Sequence, residues 1–172
     1  MRWTVRLTQE HDYQKLPAVE RDAGKRFHEV GLSQVAEDAP APVESHARAA
    51  AKGLHWVAVD EADEPVGFAM AARTPPWLYL AEVSITTGAA GHGIGRALIA
   101  QVQATAMRER SQGVVLRTFA DVPWNGPYYA RLGFAPLDDA SIPAVLADMP
   151  RKERERGMDP DTRLFMVWFP KG

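Results

Sequence analysis

Gly88-Ala89-Ala90-Gly91-His92-Gly93-Ile94-Gly95-Arg96-Ala97-Leu98 follows a long apolar run, Trp77 to Ile85. It leads into a segment where Ile94, Leu98, Val102 and Ala106 recur every fourth residue, the spacing of one helix face. A strand, then a glycine-dense turn, then a helix start brings backbone N–H groups and the positive end of a helix dipole to bear on an anion. Glycine at 91, 93 and 95 leaves no side chain to hold a phosphate away from that backbone. The stretch predicts a phosphate-binding turn in a chain of mixed strands and helices.

Outward from this turn, the patterning alternates between the two periods. Val5 and Leu7 alternate with polar residues and predict a short first strand, and Asp12 stands where it could cap the first helix. Leu16, Val19, Ala23, Phe27 and Val30 predict a helix beginning near Pro17, and Ala39-Pro40-Ala41-Pro42 separates it from a shorter one over Val43 to Lys52. Leu54 to Val59 and Val66 to Arg73 flank the charged turn Asp60-Glu61-Ala62-Asp63-Glu64-Pro65 and predict a hairpin. After the long helix come a strand at Val114 to Thr118, a short helix over Asn125 to Leu132 and an extended piece from Phe134. Ile142 to Gly157 predicts a helix interrupted by Pro150, with Arg151-Lys152-Glu153-Arg154-Glu155-Arg156 as a solvated face, and Leu164 to Phe169 a closing strand. Antiparallel strands first and strand-helix units after them imply an α/β (α+β) fold, a mixed sheet with helices on its faces.

Composition narrows the function classes. A chain of 172 residues with 46% hydrophobic and 24% charged residues reads as one soluble domain. A net charge of -2 gives no electrostatic footprint for nucleic acid. With no cysteine there is no disulfide framework, thiolate nucleophile or cysteine metal site, and no metal site is expected. The N-terminal residues lack an apolar signal core, and no run of about 18 apolar residues predicts a membrane helix. A cytoplasmic protein with no membrane partner is the expectation.

Two familiar phosphate motifs fit the glycine turn poorly. A dinucleotide-binding G-x-G-x-x-G belongs after the first strand of its domain, whereas this turn lies mid-chain with Arg96 in the place of the third glycine. A P-loop ends in Gly-Lys-Ser/Thr, which Gly95-Arg96-Ala97 does not supply. The segment instead resembles motif A of the GNAT N-acetyltransferase superfamily, Arg/Gln-x-x-Gly-x-Gly/Ala, with Gly93 and Gly95 at the two small positions. Trp124-Asn125-Gly126-Pro127-Tyr128-Tyr129-Ala130-Arg131-Leu132-Gly133-Phe134 resembles motif B of that superfamily. The two occur in the family's order and spacing.

The resemblance implies a central mixed, mostly antiparallel sheet of about six to seven strands, splayed in the middle and flanked by helices, with residues 1–172 as one GNAT-like domain. It implies acetyl-CoA as co-substrate, its pyrophosphate held by Ala90, Gly91, His92, Gly93, Ile94, Gly95 and Arg96. Ala90 departs from the family's Arg or Gln, and Arg96 or His92 is expected to compensate. Val83 and Ile85 match the residues whose backbone pairs with the pantetheine arm, a neighbouring N–H facing the thioester oxygen. Tyr129 matches the tyrosine that returns a proton to the leaving thiolate, and Asn125 would hold pantetheine or its backbone support besides capping the short helix. Glu82, the acid in an otherwise apolar strand, is either a general base or an ion-paired structural residue.

The acceptor is less legible. Residues 10–64 hold 12 Asp/Glu against 6 Lys/Arg, which fits a cationic amine, with Glu20 and Asp121 as candidate contacts beside Glu37 and Asp38. The expected activity is direct acetyl transfer to an amine, a small-molecule primary amine first, by a monomer or homodimer. Acetylation of protein N-termini or lysines, and a non-catalytic acyl-CoA-binding module, are the alternatives.

Overall fold

The computed structural model describes residues 1–171. Seven strands form one sheet in the order β1-β2-β3-β4-β5-β7-β6. They are β1 (Thr4–Leu7), β2 (His55–Val59), β3 (Pro65–Thr74), β4 (Trp77–Ile85), β5 (Val114–Phe119), β6 (Ala135–Pro136) and β7 (Arg163–Trp168). The helices are α1 (Leu16–Gly24), α2 (Ser33–Ala36), α3 (Val43–Ala51), α4 (Ile94–Arg108), α5 (Gly126–Arg131) and α6 (Met149–Glu155). β1 with β2, β2 with β3, β5 with β7 and β6 with β7 are antiparallel, whereas β4 and β5 run parallel. The parallel ladder joins Leu78 to Val114 and Tyr79 to Val115, a short pairing for strands of nine and six residues. This is the mixed, mostly antiparallel sheet with flanking helices that the sequence predicts.

The chain divides into two compact units, Met1–Ala72 with Leu80–Val102, and Arg73–Tyr79 with the residues from Gln103 onward. In the first, Leu16 and Val19 of α1 pack on Val57, Val59 and Phe68 of the hairpin. Each such fully buried side chain contributes about 1.5–3 kcal/mol. The turn between β2 and β3 is held by Asp60, whose carboxylate accepts from the Ala62 and Glu64 N–H groups at 2.9 and 3.0 Å. Two histidines lie fully buried in this unit, His46 on α3 and His55 on β2. His55 is joined through Nδ1 to Thr8 Oγ1 at 2.6 Å and through Nε2 to His46 Nδ1 at 2.9 Å, and its ring stacks on Phe68.

Three local expectations are corrected here. Asp12 does not cap the helix from its first position. It sits inside a 3₁₀ turn, Glu10–Lys15, and its carboxylate reaches back to the Gln9 N–H at 2.8 Å while binding Arg6 at 2.7 and 3.0 Å. Burial alone would raise the Asp12 carboxyl, but the Arg6 guanidinium and the Gln9 N–H hold it below the usual range. The helix predicted to Val30 ends at Gly24 and tightens into a 3₁₀ stretch, Lys25–Val30, because only Leu16 and Val19 of its apolar stripe reach the core. Glycine, the last α1 residue, also weakens helical continuation.

The third correction lies in the second unit. The helix predicted from Ile142 forms only from Met149, and Pro150 starts it instead of interrupting it, since a first-turn residue needs no N–H donor. Upstream, Ile142 and Leu146 join Met149 and Leu137 against Trp77, Val115, Phe165 and Val167. The charged run is not solvated all round. Glu153 is buried and binds Arg117 of β5 through two guanidinium nitrogens at 2.7–3.0 Å, with Arg163 Nε of β7 at 3.3 Å. Arg117 and Arg163 in turn lie over the rings of Phe165 and Phe119.

Candidate active site

The glycine turn is built as its composition demands. β4 ends at Ile85, Thr86 donates its N–H to the Val66 carbonyl at 2.9 Å, and a 3₁₀ turn over Thr87–Ala89 leads into the loop. Gly91 and Gly93 both have φ of 80°, the left-handed region where other residues are strained. His92 between them is exposed and donates its Nδ1–H to the Ala89 and Ala90 carbonyls at 3.2 and 3.1 Å, so its side chain braces the loop. Ala90 is extended, with φ −64° and ψ 148°.

α4 starts at Ile94, and its first intrahelical bond runs from Ala97 N to Gly93 O at 3.2 Å. The amides of Ile94, Gly95 and Arg96 precede that bond and have no carbonyl four residues back within the helix. Ile94 and Gly95 are buried, while Gly91, His92, Gly93 and Arg96 are exposed. Exposed left-handed glycines leading into a 15-residue helix form a cradle of N–H donors with a favourable dipole, which fits a pyrophosphate.

Upstream on β4, Val83 and Ile85 are half-buried. Glu82 is also half-buried, and its carboxylate accepts from the Ser84 hydroxyl at 2.9 Å, two residues along the same strand. Ser84 itself is buried.

In the second unit, Tyr129 sits on α5, half-buried, its ring edge-on to those of Tyr128 and Phe134 at 5.7 Å. Its backbone closes the helix at both ends, with the N–H donated to Asn125 O at 2.9 Å and the carbonyl accepting from Leu132 and Phe134 at 3.0 and 3.1 Å. Asn125 precedes the helix but does not cap it with its side chain. Its Oδ1 instead accepts from Thr118 Oγ1 at 2.7 Å, which ties the α5 entry to β5. Gly126 is required there, because a Cβ would come within 2.6 Å of the Ala120 carbonyl.

Of the two candidate acceptor contacts, Glu20 is half-buried on α1 and its carboxylate accepts from the Ala41 N–H at 2.9 Å. Burial pushes its carboxyl up, against that hydrogen bond. Asp121 is exposed just beyond β5. Sequence patterning alone misses Asp22. From α1, its carboxylate accepts from both the N–H and the hydroxyl of Thr87, at 2.7 and 3.0 Å, at the head of the glycine turn. A pair 65 positions apart leaves no local signal in the sequence.

These features are those expected of a coenzyme A-dependent acyltransferase: a mixed sheet, an exposed glycine turn after its fourth strand, and a tyrosine-bearing helix after its fifth. The model of the acetyltransferase (GNAT) domain matches residues 51–136, half of the chain, and the protein belongs to that family of acetyl-CoA-dependent N-acetyltransferases.

Solved structures agree at the level of fold. The PaiA N-acetyltransferase of Thermoplasma acidophilum, in complex with coenzyme A, superposes with a TM-score of 0.74 at 14% identity, covering 99% of this chain and 100% of that one. The ribosomal-protein-S18-alanine N-acetyltransferase of Escherichia coli gives 0.66 at 14% identity over 99% and 97%. A putative streptothricin acetyltransferase of Bacillus anthracis, in complex with acetyl coenzyme A, gives 0.53 at 15% identity over 68% and 62%. Among the described residues, no helix is long and apolar enough to cross a membrane.

Proposed function

We propose that the protein moves the acetyl group of acetyl-CoA directly to a small-molecule primary amine. The observation that carries this reading is a carboxylate, Glu82, set in β4 and oriented by Ser84, three residues before the strand that precedes the phosphate cradle ends. An amine with a pKa near that of lysine, about 10.4, must lose a proton before it attacks. Glu82 takes that proton, directly or through water. Bond formation between the amine nitrogen and the acetyl carbon breaks the carbon–sulfur bond. Tyr129 gives its phenolic proton to the departing sulfur and is reprotonated, through water, by the second proton that the new amide nitrogen sheds, while Glu82 returns its own proton to solvent.

Ile94, Gly95 and Arg96 hold the pyrophosphate through backbone N–H groups, with Gly91 and Gly93 allowing its approach. His92 keeps the loop in shape and Arg96 adds charge, which offsets the missing side-chain contact at Ala90. Val83 and Ile85 present the strand edge for pantetheine, and Asn125 fixes the start of the tyrosine helix. The acidic excess over residues 10–64 supports a cationic acceptor, with Glu20 and Asp121 as candidate contacts.

A thiol-release screen with acetyl-CoA tests this reading against amines, amino acids, aminoglycosides and N-terminal peptides. Turnover on small amines supports it. Turnover confined to peptides reassigns the acceptor to proteins. Binding of acetyl-CoA with no turnover on any class overturns the catalytic reading.

A further inference from the structure

The pyrophosphate loop lacks the family's long polar side chain at position 90, so its grip on an anion depends on how well its backbone is held. Several bonds within the loop are short-range: Ala89 N to Thr86 O, Ala90 N to Thr87 O, and His92 Nδ1 to Ala89 and Ala90 O. They shape the loop but do not anchor it to the rest of the unit. At its head, Thr86 N bonds Val66 O of β3. The next residue, Thr87, is exposed, yet both its N–H and its hydroxyl converge on one oxygen of Asp22, at 2.7 and 3.0 Å. Asp22 belongs to α1, whose Leu16 and Val19 are packed into the first core. Hydrogen bonds donated to a charged acceptor are about twice as strong as neutral ones, so this tether outweighs the Thr86–Val66 bond beside it. The Thr87 N–H and Lys25 hold the Asp22 carboxyl below its usual range, against the opposing effect of its partial burial, so it stays ionised at neutral pH.

We propose that Asp22 is a positioning residue for acetyl-CoA: by clamping Thr87 it preorganises the loop from Thr87 to Gly93 for the pyrophosphate. The role rests on the assignment of that loop to the pyrophosphate. A loop held in its bound shape loses less conformational entropy on binding, so loss of the clamp appears in affinity.

The test is coenzyme A binding by calorimetry, with amide hydrogen exchange of the ligand-free protein alongside. Variants are Asp22→Ala, Thr87→Val, Thr87→Ser and Lys25→Ala. Asp22→Ala raises the Kd for coenzyme A about tenfold, the scale of one charge-assisted hydrogen bond's worth of loop order. It also speeds exchange at Thr87 to His92 and raises the KM for acetyl-CoA more than it lowers kcat. Thr87→Val behaves likewise, Thr87→Ser restores most of the affinity, and the double variant Asp22→Ala/Thr87→Val is no weaker than either single one. Lys25→Ala, which removes the ion pair to the other Asp22 oxygen and keeps both Thr87 bonds, changes the Kd far less than Asp22→Ala does. If the wild type binds coenzyme A and Asp22→Ala binds it equally well, the clamp has no such role. If the wild type fails to bind coenzyme A, the loop assignment itself falls, and the clamp with it.

Discussion

Replacing His55 by Gln should remove a specific part of the protein's acid sensitivity. His55 is fully buried, bonded to Thr8 and His46, and stacked on Phe68. Burial first, then the neighbouring His46, pushes its pKa from 6.5 down to about 3, with the more distant Asp12 charge pulling weakly the other way. The folded state therefore keeps this ring neutral while the unfolded chain protonates it near pH 6.5. The stability it supplies is present above that pH and is lost as the pH falls from there towards about 3. At pH 5 the unfolded chain gains about 2 kcal/mol from protonating this one ring. For a chain of this size that lowers Tm by roughly 4–8 °C. His46, also lowered by burial, adds to the loss in the same direction.

The assay is thermal unfolding of the wild type and His55→Gln at pH 7 and pH 5. Glutamine keeps a polar group in the Thr8–His46 chain but cannot titrate. The wild type should lose about 2 kcal/mol more than the variant between the two pH values. Only the difference across pH is read, so a uniform packing cost in the variant cancels. If both proteins lose the same stability, His55 is not held neutral by the fold and the reasoning fails.

The site and the second core give further expected outcomes. Tyr129→Phe should lower kcat on the order of a hundredfold with little change in the Kd for acetyl-CoA; equal turnover would remove the proton-return role. Glu82→Gln should abolish the acidic limb of the kcat/KM pH profile, whereas an unchanged profile would make Glu82 structural. Arg96→Ala and His92→Ala should each weaken acetyl-CoA binding, measured by calorimetry, and no change in either would leave the Ala90 deficit without compensation. Glu153→Ala should cost about 3–5 kcal/mol by leaving Arg117 buried without its carboxylate, read as a lowered midpoint in urea.

What could be read from the chain, and what could not, divides along physical lines. The glycine turn was legible because positive φ and close approach restrict residue type, and Gly91 and Gly93 do stand at φ of 80°. The hairpin was legible as two apolar runs about a charged turn, and α4 by its unbroken helical period. The 3₁₀ stretch over Lys25–Val30 was not, since its apolar residues keep a helical spacing while leaving the core. Asn125 has the composition of a cap, yet Thr118 claims its side chain, a contact set by strand placement that local propensity cannot express. Asp22 with Thr87 and Glu153 with Arg117 escaped for the same reason: each pair is distant in sequence and looks like surface charge until the fold joins it.

The buried Glu153 also bears on how this fold can vary. The stretch between β6 and β7 looks like an added module, long and turn-rich. Cutting it away would strip the carboxylate from Arg117 and Arg163, whose side chains are only 4% and 17% exposed. Two cations would then face each other with no counter-charge, beside an uncovered apolar surface at Phe165 and Val167. Descendants of this chain can shorten or exchange that segment only in step with changes at positions 117 and 163, so the three positions form one unit of evolutionary replacement and a lower bound on any graft made by design.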